Sequence, residues 1–282
     1  MTLTPSPTPD TQKLQWVDAH CHLQDPRLAT QLPGVLARAR SAGVVLLHVA
    51  ATSEADWPTV NALADAHPGL ILCSFGLHPW FIKDRSGHWL QHLQDRLMSR
   101  PAGIGEIGLD GRMCDGLDAD REAVFLAQLD LSFELALPAS IHCRDAWGRM
   151  LEILLSRPPH PAGLLIHAYS GPPDALPALA EKNIFISFGG TLTRPNARKA
   201  IENAKNVPKN RFLLESDAPD LPPTLPEGQN AHLQDKNGKI LSEPAHVPVV
   251  GQILADIRGT TLPPIADQTT ATARRLFDKL LT

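Results

Sequence analysis

Several histidines and carboxylates close short apolar runs in this sequence, where ordinary packing gives them little reason to be. His20 and His22 flank a single cysteine. In an extended chain, side chains two apart project to the same side, so these two imidazoles can grip one cation. Further along, His78, Glu106, His142 with Arg144, His167 and Asp217 each fall in the second half of another apolar segment. A polar group in a buried strand is costly unless it has a partner or a task. An isolated His–x–His would read as two satisfied core histidines. With Glu106, His142, His167 and Asp217 arriving from four other segments, a metal centre accounts for the set better.

Those six groups exceed what one tetrahedral catalytic ion takes, which is about three protein ligands plus water. Two metals sharing a bridging carboxylate and a bridging hydroxide use them all. Glu106, from the middle of the segment order, is the expected bridge. Asp217 is the group expected to ligate one ion and accept a proton from the attacking water.

The elements that must position these residues are eight apolar, β-prone segments, at 16–23, 43–50, 70–78, 102–110, 138–145, 163–170, 184–190 and 212–219. Stretches with helical apolar spacing separate them. The clearest is 118–136, and 53–69 opens on a Ser–x–x–Asp start. Strand-then-helix alternation is the signature of right-handed βαβ units and a parallel sheet. Eight such units predict an α/β fold, a single-domain (β/α)8 TIM barrel over residues 14–282, and the polar segment ends then lie on the catalytic face of such a barrel. An open doubly wound sheet would place a Gly-rich phosphate loop after its first strand, and this chain has HCHLQD there. Residues 1–13, rich in Pro and Thr, read as a mobile tail. Residues 221–244 read as an elaborated loop after the eighth strand.

Composition bounds the function. The 282 residues are 43% hydrophobic, with 26 Lys and Arg against 30 Asp and Glu, a formal charge of −4. That balance argues against coating nucleic acid with a broad basic surface. No apolar run reaches the roughly 18 residues needed to span a bilayer, and no signal peptide opens the chain. The four cysteines form no CxxC pair and read as reduced thiols of a cytoplasmic protein. No membrane partner is expected, and the chain is expected to be a monomer.

Together the motifs DAHCHL, GLHPW, GEIGLD, IHCRDA, IHAYSG and ESDAP, in this order and spacing from about Val17 to Phe277, resemble the TatD family of metal-dependent deoxyribonucleases, in the amidohydrolase superfamily. The resemblance implies a TIM barrel with two divalent ions (zinc, manganese or magnesium) and hydrolysis of phosphodiesters by a metal-bridged hydroxide, as a 3′-5′ exonuclease on single-stranded DNA or RNA ends. It places His20, His22, Glu106 and Asp217 at one metal, and Glu106, His142 and His167 at the other. It puts His78 and Arg144 in the same cleft as substrate-binding residues. The chain departs from the family pattern at Ser216, at Ser242 of Ser–Glu–Pro, and at Thr272. Two other classes compete: a carbon-centred hydrolase such as an aminoacyl-tRNA deacylase or lactonase, and a non-catalytic binding barrel, against which the intact ligand set argues.

Some residues keep two readings at this level. Arg144 pairs either with a phosphate or with a barrel carboxylate. Trp80 and Trp147 either stack on a base or pack. Asp18 and Glu215 share a strand face with the histidine pair and with Asp217, respectively, which suits them to orienting ligands. His48 is expected to be a satisfied interior histidine, and His67, His88, His92, His160, His232 and His246 to lie at the surface.

Overall fold

Eight strands alternate with helices along almost the whole chain: β1 (Trp16–Cys21), β2 (Val44–Ala50), β3 (Ile71–Phe75), β4 (Gly103–Asp110), β5 (Ala139–Arg144), β6 (Leu164–Ile166), β7 (Ile184–Phe188) and β8 (Phe212–Leu214). These come from a computed structural model that describes residues 13–225 and 233–281. The helices are α1 (Leu32–Ser41), α2 (Trp57–Ala66), α3 (Trp89–Ser99), α4 (Asp118–Glu134), α5 (Trp147–Leu155), α6 (Leu176–Glu181), α7 (Arg198–Asn206), α8 (Val247–Arg258) and α9 (Leu262–Leu276). Each strand pairs in parallel with the next in sequence, giving the order β1 to β8. The seam between β8 and β1 is joined by backbone bonds between the end of β1 and the residues after β8. The Asp217 N–H donates to the His20 carbonyl at 3.0 Å, and the His22 N–H to the Ala218 carbonyl at 2.6 Å. The expected TIM-barrel architecture is therefore present, as one α/β domain.

Strand alternation sorts the core into two apolar clusters. Outward-facing Leu47, Val49, Ile141, Ile186, Phe212 and Leu214 join the helix layer. The residues between them, including Leu46, Phe185 and Leu213, form a smaller interior cluster with Val17, Leu72 and Leu165. Leu276 and Phe277 at the end of α9, with Leu280 after it, complete that cluster and stopper the end of the barrel where the strands begin. His48 lies inside, with its ring 4.4 Å from that of Phe277. It bonds the Ala19 carbonyl and the Ser74 hydroxyl, and burial lowers its pKa to about 4. It is the satisfied interior histidine that the sequence suggested.

Local signals shape the connections. Gly43 follows α1 at φ +89, a conformation that suits glycine where a helix turns directly into a strand. At the start of α2 the Asp56 carboxylate accepts the N–H groups of Thr52 and Ser53. After β8, Ser242 donates to the Ser216 carbonyl at 2.7 Å, which ties the far end of the long loop to the barrel seam. The predicted tail, apart from Lys13, and His232 lie outside the described residues. Among the described residues no helix is long and apolar enough to cross a membrane.

Candidate metal centre

Glu106 sits midway along β4, buried, with the peptide before it cis. Gly108 allows the strand to run close to its neighbour: its φ is +150, and a Cβ there would meet the His142 carbonyl oxygen at 2.0 Å. Five imidazoles surround the Glu106 carboxylate. On Oε1 the approaches are His167 Nε2 at 2.9 Å, His142 Nδ1 at 3.1 Å and His78 Nε2 at 3.4 Å. On Oε2 they are His22 Nε2 at 3.1 Å and His20 Nε2 at 3.3 Å. Asp217 completes the group, with Oδ1 3.6 Å from His22 Nε2 and 4.0 Å from His20 Nε2. All six sequence-predicted ligands thus converge, together with His78. Their donor atoms form three overlapping clusters: His20–His22–Asp217, His20–Glu106–His167 and His78–Glu106–His142.

The electrostatics of the cluster follow from this crowding. Burial opposes ionisation of Glu106, but the charges of His167 and His78 and hydrogen bonds from His142 and His167 hold its carboxyl well below the usual range. Burial pulls His22 down, yet Glu106 and Asp217 keep it up at about 9. His20, buried and facing the charge of His167, is driven well below its ordinary value. Asp217 is raised to about 7, chiefly by burial and also by the charge of Glu215. Its φ of +51 is uncommon outside glycine. This conformation turns the backbone from β8 into the seam, where its N–H meets the His20 carbonyl.

Hydrogen-bond partners decide which histidines can hold an ion. His22 Nδ1 faces the Ala50 carbonyl at 2.8 Å, so Nδ1 carries the hydrogen and Nε2 offers a lone pair. That lone pair points at His20 Nε2, 3.2 Å away, and at two carboxylates, an arrangement that calls for a proton or a cation between them. His20 is fixed from behind by the Ser140 hydroxyl at 2.7 Å. His142 turns its second nitrogen to Asp110, 3.4 Å away. His167 Nδ1 is buried with no hydrogen-bond partner, and the nearest carboxylate oxygen, on Glu215, is 3.7 Å off. His78 differs: its Nδ1 accepts the Trp80 N–H at 3.2 Å, which leaves a hydrogen on Nε2, so it donates toward Glu106 rather than ligating. The donor set of four imidazoles and two carboxylates fits one or two divalent ions.

Other predictions resolve more simply. Arg144 is exposed at the end of β5, and no carboxylate pairs with it among the described residues. Trp147 packs, its ring 4.9 Å from Tyr169. Asp18 does not orient a ligand ring. Between Asp18 and Cys21, three steps of β1 match two of β2, and this bulge breaks the strict alternation that had put Asp18 on the histidine face. Its carboxylate instead accepts the N–H and hydroxyl of Ser216, and burial raises its pKa to about 7. Glu215 accepts the Ala168 N–H and the Ser187 hydroxyl, which hold it below His167.

Two histidines expected at the surface are buried. His160 packs on Phe133 and accepts the Gly163 N–H, while His246 closes a capping box with Glu243. Asp110 was missed as a site residue. It accepts the Trp80 indole N–H at 2.7 Å beside His142, and its sequence signals were its place at the end of the strand that carries Glu106 and in the GEIGLD motif.

A family model described as TatD related DNase matches residues 17–278. The chain belongs to the TatD family. TatD proteins named 3′-5′ ssDNA/RNA exonuclease from Erwinia billingiae and Erwinia tasmaniensis are 30% and 31% identical to it. Those alignments cover 92% and 93% of this chain and 98% and 99% of the relatives. The crystal structure of YjjV, a TatD homologue from Escherichia coli K12, superposes with a TM-score of 0.83 at 29% identity, covering 93% of this chain and 98% of that one. The protein is a metal-dependent hydrolase related to the TatD exonucleases, built on a TIM barrel.

Proposed function

We propose that this TatD-family hydrolase removes nucleotides from the 3′ ends of single-stranded DNA or RNA. The observation that carries the reading is the convergence of His20, His22, His142, His167 and Asp217 around Glu106 at the strand ends, in a chain that aligns with nearly the full length of the exonuclease relatives. His20, His22, Glu106 and Asp217 would hold one divalent ion, and Glu106, His142 and His167 a second, as zinc, manganese or magnesium. Bound there, the ions supply Lewis-acid polarisation of a phosphoryl oxygen and make water nucleophilic near neutral pH.

The chain's own groups do the rest. Asp217 takes the proton released as water attacks and returns it to the departing sugar oxygen. Arg144, exposed and without a carboxylate partner among the described residues, pairs with a phosphate oxygen. His78, with its hydrogen on Nε2, orients an oxygen in the cleft. We take the working form to be a cytoplasmic monomer, because all four cysteines are free and the cluster is completed within one chain.

The test is gel analysis of 3′- and 5′-labelled single-stranded oligonucleotides run beside a carboxylic ester. Stepwise loss from the 3′ end, abolished by chelation and restored by a divalent ion, is expected. Undiminished cleavage by chelated, metal-free protein overturns the mechanism. Ester hydrolysis with both labels untouched assigns the site to carbon-centred chemistry instead.

A further inference from the structure

Trp80 ends the Leu–His–Pro–Trp turn that follows β3, two residues after His78. Its ring centroid lies 5.0 Å from that of His78 and 6.2 Å from that of His142, at interplanar angles of 84° and 68°. Neither imidazole stacks face to face on the indole. The indole N–H is already satisfied by Asp110 Oδ2, the same oxygen that faces His142. The side chain is therefore anchored at its polar edge, yet 48% of the residue is exposed. Phe81 beside it is 37% exposed, with its ring 6.1 Å from His78. A buried tryptophan ordinarily hides its rings and bonds its N–H. Here the N–H is bonded and much of the ring is left to solvent at the edge of the Glu106 cluster.

We propose that Trp80 is the platform on which the base next to the scissile phosphate stacks, so that the enzyme selects base-bearing strand ends over abasic ones. This rests on the exonuclease reading above. One sugar ring separates a base from its phosphate, a span comparable to that between the His142 and Trp80 rings. A phosphate held at the cluster thus brings its base over the indole. Stacking on an aromatic face accepts every base, because each has a π-face, so the platform confers a demand for a base without demanding a sequence. The tether to Asp110 fixes the plane before substrate arrives, which lowers the ordering cost of binding.

The test compares metal-loaded wild type, Trp80→Ala and Trp80→Phe on two single-stranded oligonucleotides. One has an ordinary 3′-terminal nucleotide and the other a terminal tetrahydrofuran abasic residue. Wild type should prefer the base-bearing end roughly 5- to 150-fold in kcat/KM, the range set by losing one base–aromatic stack. Trp80→Ala should bring that ratio toward one through KM, while Trp80→Phe, which keeps a ring but loses the Asp110 bond, should retain most of it. If both variants slow both substrates equally and leave the ratio unchanged, Trp80 only tethers Asp110 and the proposal fails.

Titration of indole fluorescence with deoxyadenosine monophosphate provides a readout independent of turnover. Quenching in wild type that is absent in Trp80→Phe, with no quenching by ribose 5-phosphate, supports the platform; identical titrations in the two proteins overturn it. Wild type that cleaves neither oligonucleotide but is quenched in this way defeats the exonuclease reading and leaves the base-stacking platform standing.

Discussion

Replacing Glu106 by Gln removes one negative charge from the midst of five imidazoles and leaves the side-chain shape almost unchanged. In the metal-free protein the clearest consequence falls on His22, whose pKa of about 9 is held up against burial by Glu106 first and Asp217 second. Against an unfolded value of 6.5, that elevation amounts to about 3 kcal/mol at 1.36 kcal/mol per pKa unit. A histidine raised on folding contributes stability that is fully present below its unfolded pKa and is lost as pH rises through its folded one. Chelated wild type should therefore lose about 3 kcal/mol between pH 6.5 and 9 through His22; His142, raised by Asp110 and then Glu106, and His167, raised by Glu106, act in the same sense. Asp217, raised to about 7, sheds its contribution lower, between pH 3.8 and 7.

In Glu106→Gln the decline above pH 7 should be largely absent, and the His22 ring should titrate below its unfolded value, because burial then dominates. Urea midpoints of chelated protein at pH 6, 7.5 and 9, with the His22 titration followed by NMR, measure both. Parallel stability profiles for the two proteins, or a His22 pKa still near 9 in the variant, would refute the reasoning.

Three further outcomes are expected. Asp217→Asn should lower phosphodiester hydrolysis by about 10² to 10⁴-fold, the usual worth of a positioned acid–base group, with an unchanged circular dichroism spectrum; assays on labelled oligonucleotides check this. His48→Ala removes a ring packed on Phe277 and leaves the Ala19 carbonyl and Ser74 hydroxyl without their partner. It should cost about 2–5 kcal/mol in urea unfolding while metal stoichiometry by elemental analysis stays the same. Gly108→Ala places a Cβ 2.0 Å from the His142 carbonyl oxygen at a φ of +150, so β4 must shift from β5. Lower thermal stability together with reduced metal content is expected, and a variant with both intact would show that the strand tolerates the change.

The barrel was legible in the sequence because each strand is a short apolar run, most of them followed by a polar group, and helical spacing fills the intervals. The candidate ligands stood out for a related reason: His20, Glu106, His142 and Asp217 are poor choices in or beside a buried strand unless something binds there. Strict alternation failed at Asp18, since a bulge adds a residue to one strand and leaves no local mark in residue type. Asp110 was overlooked because a carboxylate at the end of a strand looks like any loop entrance until the Trp80 indole is seen to bond it. His160 and His246 were misplaced because both lie outside the strands, in segments that read as surface. Their burial comes from neighbours far off in sequence, such as Ser132 and Phe133 for His160. Trp147 and Trp80 flank motifs in the same way, and only packing against Tyr169 on one hand and exposure on the other separates them.

The seam of the barrel has a consequence for how the protein is made. His20 and His22 leave the ribosome early, with the first strand, and Asp217 emerges only after all eight strands have been synthesised. Closing so long a loop adds little entropy beyond that of a shorter one, but it cannot begin before both ends exist. No nascent chain that ends before Asp217 can assemble the His20–His22–Asp217 cluster. The other two clusters need nothing beyond His167, so closing the seam is what separates a partial set of ligating groups from the complete one.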